Sequence, residues 1–287
     1  MIIININGGL GNQMFQVAFG SIIAKKNNCK LTFEKSFFEI NENDQNCAFR
    51  FFGLDIFKIE ENLPSQKKLL NKALKKFLPK KNIYREPSFD FNAAALSLRK
   101  PVSLFGYFHS YKYLLGYEDF IKSIFTFPKE KIGLQNENIL REIITNNSIS
   151  IHIRRGDYVS NSDTNNTHGT CSLDYFYDAI KELTKGVSKN FKLYFFSDDI
   201  KWVKEKFDHI NFNKKYISNN TGKDSWIDMF LMSNCKHNII ANSSFSFWGA
   251  WLNSNVNKKV IAPKKWFLDE NLEAQSKNLI PPQWIRI

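Results

Sequence analysis

The chain has 287 residues, 43% hydrophobic and 15% aromatic, with 40 Lys and Arg against 28 Asp and Glu, a net charge of +12. That apolar content excludes a disordered chain and supplies core for one large domain or two of ordinary size. No apolar run approaches the roughly twenty residues that span a bilayer, and the opening run lacks the basic lead of a signal peptide. Cys29, Cys47, Cys171 and Cys235 lie far apart with no C-x-x-C pair. This argues against a zinc site or disulfide framework and fits reduced thiols in a cytosolic protein. The charge directs attention to an anionic partner (nucleic acid, a membrane surface, a phosphate-bearing substrate) or to general solubility; by itself it does not choose.

In chain order, residues 1–6 read as a strand meeting Gly8-Gly9-Leu10-Gly11-Asn12-Gln13, and a helix pattern follows through Met14, Val17, Ala18 and Ile22. Strand, glycine turn and helix open a nucleotide-binding α/β fold. Met14 and Phe15 stand where a third glycine would be, so a dinucleotide reading is poor. Residues 31–130 are less regular and rich in Phe. Residues 65–78 read as an amphipathic helix with Lys67, Lys68, Lys72, Lys75 and Lys76 opposite a leucine-rich side. It suits either an anionic membrane surface or, more commonly, packing on a core with a solvated face. Gly106-Tyr107-Phe108-His109 is a compact aromatic segment.

From about residue 136 the alternation is regular. The expected elements are a helix at 136–144, a strand at 149–153, a helix at 173–185 and a strand at 191–196 that enters another helix after Asp199. A helix at 225–233, a strand at 238–241, a helix at 245–252 and a last strand at 259–262 complete the series. This pattern implies a mainly parallel sheet with helices on both faces. Three strand ends carry polar groups: Arg154-Arg155-Gly156-Asp157, Ser197-Asp198-Asp199 and Asn242-Ser243-Ser244. Each has a plain structural reading, since Ser197, Asp198 or Ser243 suits a helix cap and Arg154 with Asp157 suits an ion pair. Together, at the edge where open parallel sheets bind ligands, they point to anion binding. Arg154 offers a planar fork for phosphate oxygens, and Ser243 and Ser244 open a helix whose free N–H groups favour phosphate. With neither a P-loop lysine motif nor a D-x-D triplet, the ligand expected is a nucleotide diphosphate conjugate held without metal.

Residues 8–16 (GGLGNQMFQ), 152–158 (HIRRGDY), 196–199 (FSDD) and 242–251 (NSSFSFWGAW) closely resemble the galactoside α-1,2-fucosyltransferases, glycosyltransferase family 11. The resemblance runs from residue 1 to the segment at 261–267; Phe247 stands where bacterial members usually carry tryptophan. It implies an α/β fold of GT-B type, two Rossmann-like domains facing across a cleft, with boundaries expected at 1–132 (acceptor side) and 133–287 (donor side). It implies inverting, metal- and cofactor-independent transfer of L-fucose from GDP-fucose to O2 of a terminal galactose in a β-galactoside. By motif position Arg154 would bind the β-phosphate, and Ser243 and Ser244 the diphosphate, with Ser197, Asp198 and Asn242 beside them. Asp228 would read guanine, and Asn12 would reach the fucose. His152 and Asp157 are alternative proton acceptors, His109 and Tyr107 acceptor-side residues, and Asp163 a loop residue near the motif. No nucleic-acid signature accompanies the charge. The expected location is cytoplasmic, with peripheral attachment to the membrane as a further hypothesis.

Overall fold

The structure, a computed structural model, describes residues 1–41, 50–59, 83–156, 162–186 and 190–287. Asp157, Cys47 and the lysine-rich helix expected at 65–78 lie outside the described residues, as does the side chain of Asp163. The chain divides into two compact units, residues 1–127 with 277–279, and residues 128–276 with 280–287.

The first unit is built on four parallel strands, β1 (Ile2–Asn5), β2 (Leu31–Glu34), β3 (Ile83–Arg85) and β4 (Val102–Phe105), in the order β2-β1-β4-β3. Helix α1 (Leu10–Lys26) crosses from β1 to β2 and is buried from Met14 through Ala24. A helix apolar on nearly every side belongs inside a fold, which is why its sequence lacks a clean polar face. Gly20 allows its close approach to the sheet, because a Cβ there would sit 2.9 Å from Leu31 Cδ1. Helices α2 (Ser36–Asn41) and α3 (Glu118–Ile124) are short, and 3₁₀ turns occur at Leu54–Phe57, Ala93–Ser97 and Tyr111–Tyr113.

The second unit carries six parallel strands: β5 (Asn147–Ile153), β6 (Phe191–Ser197), β7 (Asn213–Ile217), β8 (His237–Ile239), β9 (Val260–Ala262) and β10 (Ile285–Arg286). Their order, β10-β9-β8-β5-β6-β7, places the first strand of the unit in the middle and winds outward from it both ways. That is the doubly wound arrangement, with its topological switch between β5 and β8. Helices α4 (Gly133–Thr145), α5 (Ser162–His168), α6 (Leu173–Thr184), α7 (Ile200–Phe207), α8 (Trp226–Ser233), α9 (Ser244–Trp251) and α10 (Glu270–Ala274) complete it. Ile149, Ile151, Ile153, Leu193 and Phe195 pack against Phe176, Ala179, Ile180 and Leu183 of α6 and Val203 and Phe207 of α7. Strands covered on both faces read as continuous apolar runs, which is how β5 and β6 show in the sequence.

Two expectations are corrected. The strand at 260–262 is not the last, because β10 pairs in parallel with it through Ile285 and Ile261. An unexpected edge strand, β7, pairs with β6 from Lys192–Asn213 to Phe196–Ile217. Part of the positive charge is structural. Lys258 Nζ closes the C-terminal end of α9, donating to the carbonyls of Ala250 and Asn253 at 2.7 and 2.6 Å. Lys192 and Lys215 flank Glu142 at 2.8 and 2.7 Å.

Candidate functional site

In the second unit the polar strand ends sit on β8, β5 and β6, three neighbours in the sheet. Arg154 leaves β5 and pairs with Asp198, Nη1 to Oδ2 at 2.7 Å, with both side chains about a quarter exposed at 24% and 26%. The second oxygen of Asp198 accepts the Arg155 backbone N–H at 2.9 Å. Asp198 thus fixes both the strand end and the guanidinium, and it is not a helix cap. Gly156 is required here, since a Cβ would stand 2.6 Å from Asp198 Oδ2. The cap of α7 is Asp199, accepting from Trp202 N–H at 3.2 Å. Ser197 Oγ accepts the Asp199 N–H at 3.0 Å. Arg155 turns away into structure: its Nε meets Asp199 at 3.2 Å and its guanidinium lies 3.8 Å over Trp202. Of the arginine pair, Arg155 is committed to Asp199 and Trp202, while Arg154 is held by Asp198 and stays about a quarter exposed.

Across the switch point, β8 runs into Asn242-Ser243-Ser244 and α9. Ser243 precedes the helix in extended conformation and makes no side-chain cap. The first N–H groups of a helix lack intrahelical acceptors, and with the helix dipole they favour an anion. Asn242 behaves differently from the expectation of a ligand contact. It is 3% exposed, and its amide donates to the carbonyls of His168, Gly169 and Trp266 at 2.9, 3.1 and 3.1 Å. It ties two loops to the strand end. Beside it opens a cavity of about 190 Å³, whose lining includes Thr170, Cys171, Lys264, Lys265 and Phe267.

His152 is buried on β5 beside Phe245, ring centroids 5.6 Å apart. Its Nδ1 is buried and has no hydrogen-bond partner. Burial lowers its pKa to about 4, with Asp198 opposing and Arg154 reinforcing. An imidazole so disinclined to charge is poorly matched to proton abstraction near neutrality. Asp228, in the first turn of α8, accepts from Asn220 Nδ2 at 2.7 Å. Asn220 is held in turn by Asn136, which donates to it at 2.9 Å, and Asn219 donates to Asn136 at 2.9 Å. Burial pushes the Asp228 carboxyl up to about 7, with Asn220 opposing. It is a half-buried carboxyl and not an exposed helix residue.

In the first unit, the glycine turn and the aromatic segment meet. Asn12 Oδ1 lies 3.2 Å from His109 Nε2. Gly8 has φ +74°, and a Cβ on it would lie 2.8 Å from Asn12 Nδ2. Two glutamines clamp this corner. Gln13 donates to Gly8 O and Phe51 O at 2.9 and 2.8 Å and accepts from Gly53 N–H at 2.9 Å. Gln16 accepts from Asn7 N–H at 3.0 Å and donates to Gly106 O at 3.2 Å. His109 packs against Phe15 and Phe89 at 4.9 and 5.7 Å, and Tyr107 stacks on Phe89 at 6.0 Å. Gln13 and Gln16 lie within the 8–16 motif, although its spacing does not disclose their clamping role; Glu86, described below, lies in none of the motifs. Among the described residues no group of three His, Cys, Asp or Glu side chains is placed to hold a metal, and no helix is long and apolar enough to cross a membrane.

Fold and site define a doubly wound α/β protein that gathers an arginine and a helix start at its switch point. The family model for glycosyl transferase family 11 matches residues 1–287, and the chain belongs to that family. It is 34% identical to an α-1,2-colitosyltransferase of Escherichia coli, covering 100% of this chain and 99% of that one. It is 33% identical to the O-antigen biosynthesis glycosyltransferase WbnK of Escherichia coli, covering 98% and 99%. Its fold is similar to that of the crystal structure of fucosyltransferase NodZ from Bradyrhizobium, with a TM-score of 0.50 at 12% identity, covering 86% of this chain and 91% of that one.

Proposed function

We propose that this glycosyltransferase moves L-fucose from GDP-fucose to O2 of a terminal galactose, forming an α-1,2 linkage with inversion and without a metal ion. The observation that carries the reading is Arg154, held by Asp198, at the end of β5, with the Ser243–Ser244 helix start following β8, its neighbour across the switch point. As the bond from sugar C1 to the β-phosphate oxygen breaks, its electrons pass to the diphosphate. Arg154 and the N–H groups of α9 then meet growing negative charge, which is stabilisation realised mainly in the transition state. The acceptor O2 attacks C1 from the opposite face and gives up its proton. We assign that proton to Asp157, because the neutral, enclosed His152 suits the donor side better. Asp228 as a carboxylate accepts the paired N1–H and N2–H donors of guanine. Asn12, His109 and Tyr107 serve the sugar and acceptor in the first unit, and the two units are the two halves of a GT-B enzyme. The location proposed is cytoplasmic; peripheral attachment is a hypothesis that a carbonate wash leaving no enzyme on the membrane removes.

The test is direct. GDP-fucose with a panel of β-galactosides, with and without EDTA, should give a product whose linkage NMR reads as α-1,2; no fucosylated product from any member rejects the reading. A second donor is favoured by the full-length similarity to a colitosyltransferase, since colitose is L-fucose lacking its 3-hydroxyl. Comparing kcat/KM for the two GDP sugars decides between them. Thermal shift addresses a third possibility, a basic nucleic-acid or membrane binder, by requiring GDP and not DNA or anionic vesicles to stabilise the protein.

A further inference from the structure

At the end of β3 the chain reaches Glu86, whose backbone N–H still joins the sheet by donating to Phe105 O at 2.7 Å. Its Oε2 accepts two N–H groups of the next turn, from Tyr107 at 2.7 Å and Phe108 at 2.9 Å. Its Oε1 is buried without a partner. The turn it holds is not one the backbone adopts willingly. Phe108 has φ +54°, a left-handed conformation unfavourable for a bulky residue, and its ring is fixed in the core by stacking on Phe19 at 4.1 Å. A Cβ at Gly106 would fall inside the Glu86 side chain, 2.6 Å from Oε2.

We propose that Glu86 is a positioning residue of the acceptor-side site: by holding the turn 106–109 it sets the Tyr107 and His109 rings and, through His109, Asn12. This rests on the reading above that the first unit receives the acceptor. Tyr84 and Tyr113 face the carboxyl as phenols, Arg85 lies over Phe105, Arg50 stands near Tyr107, and His109 is in the held turn. Burial pushes Glu86 up to about 7, with the Phe108 and Tyr107 N–H bonds opposing. The turn is therefore held by the stronger acceptor, the carboxylate, only above that pH.

Glu86→Gln keeps shape and an acceptor oxygen but removes the charge. At saturating GDP-fucose and pH 8, acceptor kcat/KM should fall roughly tenfold, the scale of a modest misplacement, while GDP affinity stays as in wild type. The rise of acceptor kcat/KM through about pH 7 should vanish, and Gly106→Ala should reproduce the loss. Unchanged acceptor kinetics and pH profile in Glu86→Gln overturn the proposal, and so does an equal loss of GDP affinity. A wild type that transfers no fucose removes the functional reading instead. Amide exchange at Tyr107 and Phe108, faster in Glu86→Gln, then still tests the hold, and unchanged exchange defeats it.

Discussion

The two units bring polar groups to the ends of parallel strands by opposite means. In the second unit the groups are charged and exposed in part: Asp198 holds Arg154, and Asp199 holds Arg155. In the first they are amides, rings and backbone, clamped by the fully buried Gln13 and Gln16. The contrast follows from the ligands proposed. A diphosphate needs concentrated positive charge, and a guanidinium stays oriented only against a fixed counter-charge. A sugar acceptor is neutral and is recognised by hydrogen bonds and ring faces, which need rigid geometry more than charge. Among the described residues each unit nonetheless holds one carboxyl that burial pushes up to about 7, Glu86 and Asp228.

The sharpest way to break this contrast is Arg154→Ala. If the second unit supplies the charge stabilisation, kcat should drop about a hundredfold or more, as on removing an oxyanion donor, with the circular dichroism spectrum unchanged. Turnover within a few-fold of wild type in a folded variant would end the assignment. Asp198→Asn probes the same pair at one remove, because the carboxamide still accepts the Arg155 N–H but no longer neutralises Arg154. A loss of about tenfold in kcat is expected, the size of one charge-assisted hydrogen bond. Gly156→Ala should approach it, since its new Cβ displaces the same oxygen. Asn12→Ala, in contrast, should raise acceptor KM several-fold and spare GDP binding. A raised GDP dissociation constant in that variant would erase the division of labour.

What the sequence made legible divides along the same line. β5, β6 and β8 are apolar runs ending in Arg154, Ser197 and Asn242, and a run followed by polar residues shows wherever both faces of a strand are covered. The edge strands do not show. β7 reads Asn213-Lys214-Lys215-Tyr216-Ile217, a largely polar strand in which Ile217 alone is buried, and β3 is three residues with two exposed. The partner of each polar side chain at these strand ends is less legible than its position. That Asp199 and not Asp198 caps α7, or that the Asn242 amide bonds to loop carbonyls, depends on rotamers that no spacing encodes. Glu86 was invisible for a related reason. A lone acid before Pro87 acquires meaning only when β3 pairs with β4 and sets it under Gly106.

The smallest predicted effect joins the two units through their shared carboxyl chemistry. Asp228 rises from 3.8 to about 7 on folding. Between those values the folded chain binds more protons than the unfolded one. Stability contributed here is therefore full below about pH 4, falls as pH climbs to about 7, and is level beyond. The guanine pairing proposed for Asp228 needs the ionised form, so GDP affinity should move the other way, weakening as pH drops below about 7. Because Asp228 is only half-buried, the stability change is about 1–2 kcal/mol after solvent screening, a few degrees in melting temperature. Asp228→Asn should flatten the melting curve against pH by that amount and remove the acid loss of GDP affinity. Glu86→Gln should flatten the melting curve alike yet leave the pH dependence of GDP affinity as in wild type. Identical effects of the two variants on GDP would mean that the carboxyls do not belong to separate sites, and the comparison drawn between the units would fail with them.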